Sequence, residues 1–285
     1  MKTSFVKRQM QSILAMRQSS IKRLLKKTIL PLYLYCRGLY YRGNNVACPC
    51  CNRGFSRFLP AGANRRPVQC PRCRSNERDR ALWLYLDRHR ELLKPGMRLL
   101  HVAPEEIFFK RFRSIEGLEY FPADKFADMF ESTYPGETKY LDITGMPEIK
   151  DHYFDVIICS HVLEYVKEDN KAMNELFRVL KPGGIAFLQV PIKRGLAITE
   201  EDERIVSRQD RITHYGDPGH IRFYGADYER KLQGAGFETK FIPLEYLFNA
   251  TEIETYRLAY GDHLHVAVRP LLAVEKPLGH SLKTK

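Results

Sequence analysis

The stretch FDVIICSHVLEYV (Phe154–Val166), continued by a helical run from Ala172 to Leu180 and by LKPGGIAFLQVP (Leu180–Pro191), decides how this chain folds. Its opening residues are apolar and β-branched almost without interruption, the composition of a parallel strand buried on both faces. Met173, Leu176, Phe177 and Leu180 then recur at helical spacing. Lys181-Pro182-Gly183-Gly184 stops that helix, and Ile185 to Val190 is again apolar. Strand, helix, turn and strand make one βαβ unit, so the class expected is α/β, with a mostly parallel sheet and helices on both faces. Such sheets place ligands beyond the carboxyl ends of their strands. Ser160, His161 and Glu164, after one strand, and Pro191 to Arg194, after the next, should therefore face a site.

Toward the N-terminus, Met97 to Val102 reads as a strand opening into a helix at Pro104-Glu105, with proline early and acids at the positive end of the dipole. Leu118 to Ala123 is a second strand. Asp124 stands at its carboxyl end, about twenty residues past the first strand, where a nucleotide-binding sheet keeps the acid that accepts from ribose hydroxyls. Asp142, in KYLDIT, ends a third strand. A lone aspartate at a strand end is more often a turn residue, and the order Asp124, Asp142, LKPGG is what lifts these two above that reading.

FDVIICSHVLEYV followed by ELFRVLKPGGIAFLQVPI resembles the second half of the class I S-adenosylmethionine-dependent methyltransferases. The resemblance implies a Rossmann-like domain over residues 97–270, with a tail at 271–285. It implies S-adenosylmethionine as cofactor, held by His101, Ala103, Glu105, Asp124, Asp142, Ile143, Ser160 and His161, with Asp142 beside the adenine. The methyl would pass to an oxygen or nitrogen of an unidentified acceptor, with a small molecule, glycan or lipid-linked substrate as the leading expectation. One departure stands out: the first loop, His101-Val102-Ala103-Pro104-Glu105, has no glycine. The same fold needs a further helix, supplied by Ala226 to Ala235, and an antiparallel pair, Phe237 to Leu244 with His263 to Arg269. That leaves 191–224 as an insertion placed to cover the acceptor, offering His214, Asp217, His220, Arg222 and Tyr224. His161 and His220 are the expected catalytic groups, acting if the acceptor must lose a proton.

Four of seven cysteines, Cys48, Cys51, Cys70 and Cys73, form a C-x2-C pair repeated after eighteen residues. Two thiolates two residues apart at a tight turn reach one tetrahedral ion, and a second such turn completes the set, so residues 44–76 read as a zinc-ribbon-like module. A closed four-thiolate site leaves no open position, which makes the zinc structural. Disulfides are the weaker alternative because no secretory signal precedes the array. Cys50, between ligands, packs or stays free. Glu77 to Leu93 reads as a helix within a 77–96 link to the larger domain, with Trp83 on its packing face.

Charge is uneven. Residues 1–76 hold sixteen Lys and Arg and no acid, so 77–285 carry −4 of the chain's +12. An arm over 1–43 therefore seeks anions, either RNA phosphates or an anionic membrane surface. Ile21, Leu24, Leu25, Ile29 and Leu32 against Lys22, Arg23, Lys26 and Lys27, followed by tyrosines in ILPLYLYCRGLYY (Ile29–Tyr41), lean toward the membrane. A helix packed on its own domain accounts for the stripe equally well. No run is long enough to span a bilayer, so the expected location is cytoplasmic and peripheral to the membrane. Two other functions fit the sequence: an RNA methyltransferase gripping through the arm and module, and a non-catalytic binding protein that kept the fold.

Overall fold

The computed structural model describes residues 28–61, 66–126 and 137–271. Helix α1 (28–40) leads into two small hairpins. These are β1 (Arg42–Cys48) with β2 (Arg53–Phe55), and β3 (Leu59–Ala61) with β4 (Arg66–Gln69). Helix α2 (Glu77–Arg88) and a 3-10 turn at Arg90–Leu93 then reach the sheet. Its first half is β5 (Arg98–Val102), α3 (Glu106–Arg113), β6 (Glu119–Asp124) and β7 (Lys139–Tyr140). Its second half is β8 (Phe154–Ser160), α4 (Asp169–Val179) and β9 (Leu180–Gln189). The insertion carries β10 (Glu200–Glu201), α5 (Arg208–Tyr215) and β11 (Arg222–Phe223). Helix α6 (Tyr228–Gly234), β12 (Glu238–Pro243), α7 (Leu244–Leu247), α8 (Ala250–Tyr256) and β13 (His263–Val268) complete the chain.

Seven strands lie in the order β12-β13-β9-β8-β5-β6-β7, with β13 alone reversed. The order reverses between β5 and β8, so their carboxyl ends flank the crevice where such sheets bind ligands. Alternation along the buried strands sorts the core into two layers. Leu100, Val102, Ile157 and Cys159 pack with Met173 and Leu176 of α4, while Leu99, Val156 and Ile158 pack with Leu82 of α2 and Phe108 and Phe112 of α3.

The turn expected at Lys181–Gly184 lies inside β9. Helix α4 ends at Val179, and the register with β8 jumps from Phe154↔Leu180 to Val156↔Ile185, so the residues between form a bulge. A Cβ on Gly184 would stand 2.8 Å from the Lys181 carbonyl oxygen and 3.0 Å from that of Asp155, which requires glycine there. Arg269 Nη1 donates to the carbonyls of Phe177, Arg178 and Leu180, satisfying acceptors that a helix end leaves open.

The hairpin module is fastened to the sheet domain by Arg80, a fully buried residue of α2. Its guanidinium donates to Val68 O (2.8 Å) and Ser75 O (2.9 Å) on the module side, and to Tyr256 O (2.6 Å) and Arg257 O (3.1 Å) at the end of α8. Trp83 joins the same seam, stacked on Phe108 with Arg111 over its ring. Arg80→Met should destabilise the protein by about 2–3 kcal/mol, because buried carbonyls lose their donor. Urea unfolding measures it, and a change under about 0.5 kcal/mol, the range of an ordinary surface substitution, would show that the seam contributes nothing.

Candidate functional site

At the module's centre, the sulfurs of Cys48, Cys51, Cys70 and Cys73 all lie within 4.8 Å of one another. Cys48 Sγ and Cys73 Sγ are 3.5 Å apart, Cys51 Sγ and Cys70 Sγ 3.8 Å. A zinc tetrahedron with legs of about 2.3 Å has sulfur–sulfur edges of about 3.8 Å, so the donor set fits that ion. Hydrogen bonding to Cys48 pushes the Cys51 and Cys70 thiols above their usual range. A divalent cation among the four sulfurs would remove that restraint on their ionisation. Ser75 Oγ lies 3.2 Å from both Cys48 Sγ and Cys73 Sγ, a buried hydroxyl that the cysteine spacing gave no reason to single out. Cys50 is buried against the Asp79 carbonyl, outside the ligand group.

The second site lies at the carboxyl ends of the parallel strands. After β5, Ala103 takes φ 49°, the left-handed region that glycine favours, and its N–H donates to Ala123 O at 2.9 Å. An alanine thus makes the turn, at about 1–2 kcal/mol of strain. His101 is fully buried: Nδ1 meets Tyr120 Oη at 2.9 Å and Nε2 meets Glu105 Oε2 at 2.7 Å. Both ring nitrogens are therefore occupied in holding the loop, and Glu105 with it.

The two aspartates differ. Asp124 is 8% exposed, and burial pushes its carboxyl above the usual range, with only the Phe126 N–H opposing this. Among the described residues no cation pairs with it, so it keeps acceptor capacity for incoming hydroxyls. Asp142 is also raised by burial, but Lys125 Nζ at 2.6 Å and the N–H and hydroxyl of Thr144 more than offset that and hold it low. Its Oδ1 closes its own turn, and its Oδ2 takes the lysine. Ile143 beside it is buried in the core layer with Val102 and Ala123.

After β8, Ser160 pairs with Gln189 of β9, and His161 takes φ 55° with its N–H on Gln189 O at 2.8 Å. The chain then enters a 3-10 turn at Leu163–Tyr165, which buries Glu164 completely. Glu164 Oε1 lies 3.1 Å from His161 Nδ1 and 3.9 Å from His220 Nε2. Glu164 thus faces the site, as its place after the strand implies, and joins two histidines from different segments. Of the insertion's other candidates, Arg222 and Tyr224 are buried supports. Arg222 donates to the carbonyls of Leu163 and Lys167, and Tyr224 Oη donates to Asp169 Oδ2 at 2.9 Å. His214 pairs with Glu200 on the exposed side, and Asp217 accepts from Gly219 N–H within its own loop.

Beside His161 opens a cavity of about 690 Å³, walled by Arg66 and Glu77 from the module side, Gln189 from the end of β9, Arg194 from the loop that follows, and His263 and His265 from β13. Glu77 Oε2, Gln189 Nε2 and His265 Nδ1 are buried there without a partner among the described residues, and Glu164 Oε2 and His220 Nδ1 are likewise unpartnered nearby. Buried polar atoms are almost always paired, so this concentration marks a place prepared for a polar ligand. A second cavity of about 390 Å³, between Met146 and Arg178, has no such atom in its wall.

Burial pushes the His265 imidazole down to about 3, and the neighbouring His263 charge adds to this. Unfolded, it titrates near about 6.5, so on acidification the unfolded chain takes up the proton first. Stability present above pH 6.5 is then lost as pH falls toward 3. His265→Leu should flatten the stability–pH slope in that window by up to about 1.4 kcal/mol per pH unit, read from urea unfolding. An unchanged slope would mean His265 is not buried as a neutral ring.

Residues 110–188, from α3 into β9, match the family described as a methyltransferase domain. No curated protein matches the chain. The chain is similar to an S-adenosylmethionine-dependent methyltransferase of known structure from Mesorhizobium loti, with 18% identity, 66% of this chain and 98% of that one covered, and a TM-score of 0.46. It is also similar to one from Archaeoglobus fulgidus, with 16% identity, coverage of 66% and 93%, and a TM-score of 0.44. The strand order of the central sheet and the family match over 110–188 give a methyltransferase-like α/β arrangement, and S-adenosylmethionine is the cofactor that arrangement implies.

Proposed function

We propose that this chain transfers the methyl group of S-adenosylmethionine to an oxygen or nitrogen of a small-molecule, glycan or lipid-linked acceptor seated in the 690 Å³ cavity. The observation that carries the reading is the group of unpartnered polar atoms at the carboxyl ends of β8 and β9, beside the crevice where the sheet order reverses. When bound, the cofactor supplies an electrophilic methyl on a sulfonium. Asp124 accepts from its ribose hydroxyls, as an acid at that strand end does in nucleotide-binding sheets, and no cation among the described residues competes for it. The strand-end walls orient the acceptor and exclude water, the larger share of the rate in a direct displacement.

His161 lines the cavity, and its bond to Glu164 fixes the tautomer that carries the proton on Nδ1. Nε2 is left to accept a proton from the acceptor as the methyl arrives. Buried Glu164 is the positioning group, and His220 approaches it from the insertion. The zinc is structural and takes no part in the transfer.

Incubation with methyl-labelled S-adenosylmethionine and fractionated small-molecule and lipid extracts tests this directly. Label should appear in one acceptor class with the native chain and be lost with His161→Asn. Label that persists undiminished in the variant would remove His161 from the mechanism. Asp124→Ala should weaken S-adenosylhomocysteine binding by about 1.5–3 kcal/mol, the loss of a charged hydrogen bond. Unchanged affinity would show that this carboxylate does not face the ribose.

A further inference from the structure

Six large apolar side chains of helix α1 are open to solvent: Ile29, Leu32, Tyr33, Tyr35, Leu39 and Tyr40, from 48% exposed at Tyr35 to 81% at Tyr40. Only Leu34 and Gly38 are buried, with Leu30 and Arg37 half-buried beside them, so a single narrow face meets the protein. That face is firmly held. Arg37 Nε donates to Pro71 O at 2.7 Å, and Gly38 sits so close to Arg72 that a Cβ would stand 2.8 Å from its Cδ. The contact is with the zinc module, in the Cys70–Cys73 turn, and it leaves the remaining apolar surface pointing away. A helix that is apolar nearly all round, with Arg37 its one charge, is ordinarily covered by a core or by lipid.

Charge decides among the occupants. Residues 1–76 carry +16 without one acid, so a second copy of this surface would be repelled. RNA would neutralise the cations but leave isoleucine and leucine in water. An anionic bilayer takes both: apolar side chains enter the interface, tyrosines sit at headgroup level and the cations face lipid phosphates. In the sequence only fourteen residues separate Lys27 from Arg42, fewer than the roughly 20 that a spanning helix needs, so this segment lies on the bilayer. Among the described residues no helix is long and apolar enough to cross a membrane.

We propose that α1, clamped to the zinc module, docks this chain on an anionic lipid surface. The inference stands on its own residues and does not require methyl transfer. Its test is sedimentation of the full chain with phosphatidylcholine vesicles containing about one-quarter phosphatidylglycerol. The native chain should pellet with them, and at least about tenfold less with phosphatidylcholine alone or at high salt. Ile29→Ser with Leu32→Ser and Leu39→Ser removes apolar surface and no cation. It should lower vesicle binding by about tenfold or more while zinc content, melting temperature and binding to a single-stranded RNA oligomer stay unchanged. Tyr40→Ser, at the most exposed position, should give a smaller loss in the same direction. A native chain that ignores the anionic vesicles, or a triple variant that binds them as before, overturns the proposal. So does a triple variant that loses RNA binding instead, or one that only converts a dimer to a monomer in light scattering.

Discussion

Cys70→Ser should leave the chain without its metal and the hairpin module unfolded, while the seven-stranded sheet persists. The four sulfurs already stand near the corners of a zinc-sized tetrahedron. Around them the module buries little else: Val46, Phe55 and Phe58 are its main apolar residues besides the cysteines. So small a core does not hold two short hairpins together, and a structural zinc contributes about 10–16 kcal/mol in apparent binding energy to such a unit. A serine hydroxyl does not replace a thiolate, and Cys70 is fully buried, so no water takes over the ligand position without reorganising the turn. Metal analysis should find one zinc per native chain and none in the variant, and limited proteolysis should then cut within 42–76. Cys50→Ser is the control. Lying outside the ligand group, it should keep full zinc at a cost of about 1 kcal/mol. A Cys70→Ser protein that retains zinc stoichiometry would contradict the four-thiolate assignment.

Glu164→Gln should lower methyl transfer by about 10²–10⁴-fold with little change in cofactor affinity and no loss of stability. The amide preserves the shape of a carboxylate but presents a donor where His161 Nδ1–H needs an acceptor, which favours the opposite tautomer. Because Glu164 is wholly buried and one of its oxygens has no partner, removing its charge also relieves a desolvation cost. Falling turnover beside an unchanged or raised melting temperature separates positioning from mere structural support, which would lower both. A variant with native turnover would leave Glu164 as a buried residue without a part in the chemistry.

The sheet was legible because its strands are buried on both faces and so read as apolar runs, as Val156 to Cys159 does. The metal ligands were legible because their spacing is itself the constraint. Glu164 was legible as a strand-end residue facing the site, but its link to two histidines was not. An acid just before a helix looks like a dipole partner, and only the 3-10 turn after β8 and the return of the insertion at His220 bring it between two histidines. The bulge in LKPGG depends on the register with β8, a long-range pairing that no local pattern reports. Nothing in the local sequence singles out Arg80, because its burial depends on carbonyls more than a hundred residues away. The short helices α7 and α8 escaped notice for a similar reason, since they are held chiefly by packing of Leu244 and Ile253 against the sheet. The basic arm's stripe at Ile21, Leu24 and Leu25 lies outside the described residues, and helix 28–40 is the part of it the structure describes.

Methyl transfer requires cofactor binding, and calorimetric titration of the zinc-loaded chain with S-adenosylhomocysteine tests that most directly. One site per chain should bind with a dissociation constant of about 1 mM or tighter, the range in which enzymes hold their substrates, and Asp124→Ala should weaken it about tenfold or more. A folded, zinc-loaded protein that shows no heat of binding at about 1 mM ligand would contradict the account and leave the sheet as a methyltransferase-like scaffold serving another purpose.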